Sequence, residues 1–277
     1  MVETSKNTNK FYEDFSKLHD DFSLYWKDVT VPDGYTCRTR FENVIFTIKK
    51  LVKKGDKIID VGCGDGIYLS NLPTNVKKFG FDISKIYIER AKQKNSKAQF
   101  KLGQPNCDLP YKNGEFDVVY SSEVIEHIED LQLFLNEIVR ITKSGGTIIL
   151  TTPSKYGFRP GSLIYKYNFI AHFNKLIDYF IMLIARLFKT KKSKKISPTA
   201  DWHLHIFSKR DLLKRLNKAK LIQYKTCALY LPFMALISKL FRFKVRLKSY
   251  RKLDNFIGHI PVIKNINHTM ILVFKKL

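Results

Sequence analysis

The stretch Ile58-Ile59-Asp60-Val61-Gly62-Cys63-Gly64-Asp65-Gly66 decides more about this chain than any other. An apolar run ends in an acid and passes into three alternating glycines, the pattern of a buried strand turning sharply into a helix. Lacking a Cβ, these glycines let the backbone take positive φ and admit a ligand at close range. The following helix would aim its free N–H groups at the same place. The spacing differs from the G-x-G-x-x-G of a dinucleotide site, and no Lys follows to make a phosphate P-loop.

Strand and helix signals alternate beyond this turn: 57–61, 67–72, 78–82, 84–93, 98–102, 116–120, 131–141 and 147–151. Such alternation predicts a parallel sheet with helices on both faces, an α/β fold of the Rossmann type. Residues 41–52 read as a helix before the first strand. Residues 11–27 read as an N-terminal helix over the ligand site, with Phe11, Phe15, Leu18, Phe22 and Tyr25 as its apolar stripe. A further helix is expected at 208–219, and two last strands at 222–229 and 269–275.

The D-x-G-x-G-x-G pattern resembles motif I of class I S-adenosylmethionine-dependent methyltransferases. Later motifs agree in order. Lys78-Phe79-Gly80-Phe81-Asp82-Ile83-Ser84 reads as a second strand ending in an acid 22 residues after Asp60, close to the roughly 20-residue offset at which an acid reaches ribose hydroxyls. Gly103-Gln104 and Asp108-Leu109-Pro110 precede Phe116-Asp117-Val118-Val119-Tyr120, similar to the family's passage from the adenine loop into the fourth strand. The chain departs from the family at Gln104, where an acid is usual; Gln can still accept from an exocyclic amine. Ser144-Gly145-Gly146 followed by Thr147–Thr152 resembles the fifth strand. The resemblance implies a seven-stranded sheet with an antiparallel terminal strand. It also implies S-adenosyl-L-methionine as cofactor, held by Asp60, Gly62, Cys63, Gly64, Gly66, Asp82, Ile83, Gln104 and Ser121, with Asp60 near the cofactor's amino group.

After the fourth strand comes Ser121-Ser122-Glu123-Val124-Ile125-Glu126-His127. On a helix, Glu123, Glu126 and His127 would share one face at the carboxyl end of the sheet. Two carboxylates and an imidazole suit Mg²⁺ or Mn²⁺. The run resembles both the ubiquinone-biosynthesis O-methyltransferases and the small-RNA 3′-terminal 2′-O-methyltransferases, which place a divalent metal there. In Trp202-His203-Leu204-His205, His203 or His205 would complete such a site. The other reading needs no metal: His127 lines the substrate pocket or acts as a base, with Glu126 beside it. A purely structural role is the third. His19, His172, His259 and His268 read as structural or surface residues.

The charge is uneven. Residues 1–150 carry 22 Lys and Arg against 21 Asp and Glu, a net of +1; residues 151–277 carry 27 against 4, a net of +23. The second half therefore faces an anionic partner. In 154–201, Phe173, Leu176, Ile177, Phe180, Ile181, Ile184, Leu187 and Phe188 recur at helical spacing and a lysine run follows. Internal charges argue against a spanning helix and for an amphipathic one in a membrane interface; a helix packed on the domain with a solvated lysine tail is the alternative. Residues 230–267 interleave basic and apolar residues where the family carries a substrate cap, a composition that also suits single-stranded RNA.

Four cysteines without a CxxC pair (Cys37, Cys63, Cys107 and Cys227) read as reduced thiols, and Met1–Lys10 lacks the form of a signal peptide. The expected organisation is 1–54 as N-terminal helices, 55–153 as the cofactor core, 154–201 as the basic insertion and 202–277 as the remainder with its cap. The expected activity is O-methylation of a lipid-like or lipid-linked acceptor by a cytoplasmic protein peripheral to the inner face of the membrane. An RNA 2′-O-methyltransferase and a non-catalytic cofactor-binding scaffold are the alternatives.

Overall fold

The computed structural model describes residues 14, 16–17, 32–104, 108–155, 157, 204–227 and 268–277. Seven strands form one sheet in the order β3-β2-β1-β4-β5-β7-β6. They are β1 (Lys57–Val61), β2 (Lys77–Asp82), β3 (Gln99–Leu102), β4 (Phe116–Ser122), β5 (Thr142–Pro153), β6 (Ala219–Cys227) and β7 (Thr269–Lys276). The first five are mutually parallel, and β7 runs antiparallel to both β5 and β6. This is the expected Rossmann-like sheet, with the late hairpin inserted so that the last strand lies inside the sheet and β6 forms the edge.

The central strands are apolar at consecutive positions because both faces are covered. Ile58, Val118, Ile149, Ile271 and Val273 face one apolar cluster; their neighbours Ile59, Val119, Ile148 and Leu272 face the other. On the first face lies α1 (Pro32–Leu51), which contributes Phe41, Val44, Ile45 and Ile48. On the second lies α4 (Leu131–Ile141), burying Phe134, Leu135, Ile138 and Ile141 at helical spacing. Asp130 starts α4 by accepting from the Leu133 amide at 2.9 Å. The remaining helices are α2 (Ile67–Ser70), α3 (Lys85–Lys94) and α5 (Lys209–Arg215). Ser208 and Asp211 form a reciprocal capping box at the start of α5.

Helix α1 begins earlier than the expected 41 and shares the sheet's own apolar cluster, so it is part of the core and not a separate layer. Strand β4 runs two residues beyond Tyr120, and β5 starts at Thr142 through a bulge containing Gly145 at φ +65°. Of the N-terminal helix expected at 11–27, only Asp14, Ser16 and Lys17 are described, all helical; the Ser16 carbonyl accepts from Arg90 on α3 at 2.8 Å. The amphipathic insertion, apart from residues 154, 155 and 157, and the cap at 230–267 lie outside the described residues. Among the described residues no helix is long and apolar enough to cross a membrane.

Candidate cofactor and acceptor site

The glycine turn sits where β1 ends. Gly62, Gly64 and Gly66 all take positive φ, at 83°, 51° and 74°. At Gly62 the need is steric as well: a Cβ there would lie 2.3 Å from Val124 Cγ2. The valine after β4 thus fills the space beside the loop. Gly66 has a different role. It caps α2, and a Cβ there would meet Asn95 and Ala91 on α3, so this glycine packs helix against helix.

Acidic residues converge on the loop. Asp82, at the end of β2, accepts from the Gly64 amide at 2.8 Å and from the Ser84 amide at 2.9 Å. Burial pushes its carboxyl pKa up, and these amides hold it partly down. Asp60 is buried, and no hydrogen bond of ordinary geometry reaches either of its oxygens from the described residues, although the Tyr120 hydroxyl faces it. Burial first, and the neighbouring Asp82 and Asp65 after it, raise its pKa well above the usual carboxylate range. Asp65, a buried loop residue that sequence reasoning passed over, pairs with Lys94 of α3 at 2.5 Å and accepts from the Ile67 amide at 3.2 Å.

These features fit S-adenosylmethionine. Orphaned buried carboxylate oxygens at Asp60 suit a cationic amino group, since buried polar atoms find partners. Each Asp82 oxygen keeps a second lone pair for a ribose hydroxyl. Ile83 is half-buried against the sheet core and Gln104 is exposed at the end of β3. Two expected cofactor residues are occupied otherwise. The Ser121 hydroxyl donates to the Val61 carbonyl at 2.8 Å, pegging β4 to β1. The Cys63 thiol is buried against the Gly64 carbonyl, so only the backbone of Cys63 can line the site.

The acceptor side departs from expectation. No helix carries Glu123, Glu126 and His127: a single 3-10 turn spans Ile125–His127, and Glu123 precedes it in the left-handed region at φ +57°. Glu123 consequently turns to a partner on α1, while Glu126 stays beside His127. Glu123 pairs with Arg40 of α1 at 2.9 Å and accepts from the Thr151 hydroxyl at 3.1 Å. Glu126 is buried, accepting from Thr152 at 3.1 Å, with its Oε1 3.9 Å from His127 Nε2. Burial, then Glu123, push the Glu126 carboxyl well above its usual pKa. Among the described residues no group of three or more His, Cys, Asp and Glu is placed to hold a metal. The expected ligand set of Glu123, Glu126 and His127 therefore does not form here, because a guanidinium already supplies the counter-charge to Glu123; His203 lies outside the described residues.

The chain returns to this turn at Leu204 and His205. The Leu204 and His205 amides both donate to the Glu126 carbonyl, at 2.9 and 3.1 Å, and His205 Nε2 lies 2.9 Å from the Ile128 carbonyl. His205 is thus a clasp on the backbone of the turn. Arg40, Tyr68, Thr151 and Thr152, none of them picked out as site residues from the sequence, complete the site.

The methyltransferase-domain family matches residues 59–150, which span the loop, Asp82 and the turn after β4. Residues 59–150 thus carry a methyltransferase domain, and the chain is similar to S-adenosylmethionine-dependent methyltransferases. Tocopherol O-methyltransferase of Arabidopsis thaliana is 35% identical over 109 residues, covering 36% of this chain and 31% of its own length. Ajmaline N-methyltransferase of Rauvolfia serpentina is 32% identical over 123 residues, covering 39% of this chain and 42% of its own. The match thus spans less than half of either relative. Geranyl diphosphate C-methyltransferase of Streptomyces coelicolor A3(2) shares the fold, with TM-score 0.52, 12% identity, and coverage of 90% of this chain and 79% of its own.

Proposed function

We propose that this protein is a class I methyltransferase that binds S-adenosyl-L-methionine and methylates an oxygen of a lipid-like acceptor at an anionic membrane surface. The observation that carries the cofactor half is Asp60, whose two buried carboxylate oxygens accept no hydrogen bond of ordinary geometry from the described residues, beside a glycine turn. When bound, the cofactor supplies an electrophilic methyl group on a sulfonium. Asp60 would hold the ammonium and Asp82 the ribose hydroxyls, with the Gly62–Gly64 backbone admitting the ligand at close range.

On the acceptor side His127 takes the proton. The bound cofactor would supply the methyl group, and the acceptor's hydroxyl proton would pass to the His127 imidazole. Glu126 is too buried to meet the acceptor; it acts through His127, 3.9 Å away. The protein otherwise contributes orientation and exclusion of water.

Two observations support the acceptor. A tocopherol O-methyltransferase is among the relatives, and tocopherol is lipid-like. Exposed Arg210, Lys214, Arg215, Lys218 and Lys220 share the α5–β6 surface with exposed Leu213 and Ile222, a mixture suited to anionic headgroups over an acyl layer. RNA is the second reading, carried by the +23 charge of residues 151–277.

The test incubates the protein with methyl-labelled cofactor and, separately, lipid and RNA extracts, followed by mass spectrometry. Label in a lipid supports the proposal. Label in RNA alone replaces it with the second reading. Cofactor binding without transfer to either defeats the enzymatic reading in favour of a scaffold. Co-sedimentation with anionic but not neutral liposomes, abolished by deleting residues 165–195, tests the docking.

A further inference from the structure

Glu123 is the single non-glycine residue with positive φ among the described residues. A glutamate in that region carries a conformational cost, and such strain persists only where surrounding contacts over-determine it. The contacts form a circuit. Arg40 Nη1 donates to Glu123 Oε2 at 2.9 Å. Glu123 Oε1 accepts from Thr151 Oγ1 at 3.1 Å. Thr151 Oγ1 lies 2.9 Å from Ser122 Oγ, which lies 3.2 Å from the Tyr68 hydroxyl. The Arg40 guanidinium also lies near that hydroxyl, so the contacts lead back to α1.

Five places in the chain contribute one member each: α1, α2, the end of β4, the residue after it, and β5. The circuit grips the glycine turn from both sides. Tyr68 belongs to α2, directly after the turn, and packs on Phe41 of α1 and on Tyr120 of β4. Val124, the residue after Glu123, occupies the space beside Gly62. The Glu123 amide is fixed too, donating to the Thr151 carbonyl at 3.1 Å.

We infer that Arg40 and Glu123 are positioning residues for the cofactor loop: their ion pair, continued through Thr151, Ser122 and Tyr68, holds the turn that presses Val124 against Gly62 and the helix that carries Tyr68. This rests on the proposed cofactor reading. The pair acts through the loop and not by touching the ligand, so its two members contribute as one unit.

The test compares wild type with Glu123→Gln, Tyr68→Phe, Arg40→Met, Arg40→Lys and the Arg40→Met/Glu123→Gln double variant. Calorimetry measures S-adenosylmethionine affinity, and amide hydrogen exchange without cofactor follows residues 62–68 and 122–127. Circular dichroism and melting verify the fold. Glu123→Gln keeps the side chain's shape, and Arg40→Lys serves where Arg40→Met does not fold. Each single variant except Arg40→Lys is expected to bind about tenfold more weakly or worse, the scale of one charge-assisted hydrogen bond. The double variant is expected to be no weaker than its worse parent, because coupled residues are non-additive. Exchange is expected to quicken in both segments, and Arg40→Lys to retain part of the wild-type affinity.

Wild-type affinity and wild-type exchange at 62–64 in Glu123→Gln would overturn the inference. So would a loss confined to Arg40 variants, which would mean that Arg40 touches the ligand directly. A wild-type protein that binds no S-adenosylmethionine overturns the cofactor reading itself, and exchange without cofactor still reports separately on the circuit.

Discussion

The Gly64 amide donates to Asp82 Oδ2 at 2.8 Å, so the carboxylate that ends β2 closes the loop that ends β1. The residue proposed to bind ribose thereby also shapes the loop. Asp82→Ala removes the acceptor for both the Gly64 and Ser84 amides. Hydrogen bonds to charged groups contribute about 1.5–3 kcal/mol each. The expected outcome is a lower melting temperature and a loss of cofactor affinity of at least tenfold, read by differential scanning fluorimetry and calorimetry. Asp82→Asn, which still accepts through one oxygen, is expected to fall between.

Asp60 predicts a pH dependence with a definite sign. Its carboxyl pKa is raised in the folded protein, by burial first and by neighbouring acids second. The native state therefore binds this proton more tightly than the unfolded chain. Stability of the free protein falls as pH rises from the ordinary carboxylate value of about 4 towards the raised one. A cationic amino group prefers the ionised carboxylate, so cofactor affinity rises over the same window. Calorimetry in buffers of different ionisation enthalpy should show a proton released on binding. Asp60→Asn should bind weakly and release none; proton release unchanged in that variant would assign it to another group.

Gly62→Ala meets two obstacles, a Cβ 2.3 Å from Val124 Cγ2 and a φ of +83°. Overpacking costs about 1–3 kcal/mol, and the left-handed backbone adds about 1 kcal/mol for a residue with a Cβ. Adding Val124→Ala removes the nearest clash and leaves the backbone strain. Chemical denaturation should show a partial recovery in the double variant, with cofactor affinity still below wild type.

His127 and Glu126 should separate kinetically once an acceptor is in hand. His127→Ala is expected to lower kcat by about 10²–10⁴-fold, the range of a positioned general base, and to leave cofactor affinity unchanged. Glu126→Gln keeps the shape and the Thr152 contact and should lower kcat by a smaller factor. Equal losses in the two variants would show that Glu126 is itself the proton acceptor.

The chain's order alone determined the alternation of strands and the glycine turn that ends β1. The paired apolar runs, the glycine spacing and the acid 22 residues on are local signals, because strand burial, turn geometry and loop length act over a few residues. Leu131–Ile141 and Lys57–Val61 fall where their periodicity put them. The acceptor side belongs to tertiary structure. Helical spacing placed Glu123, Glu126 and His127 on one face, but Glu123 sits in a left-handed turn and pairs with Arg40, 83 residues away in sequence, while Glu126 stays beside His127. No local pattern announces that pair. Its energy depends on burial and on a counter-charge brought in by another helix, and both exist only once α1 has packed across the ends of β4 and β5.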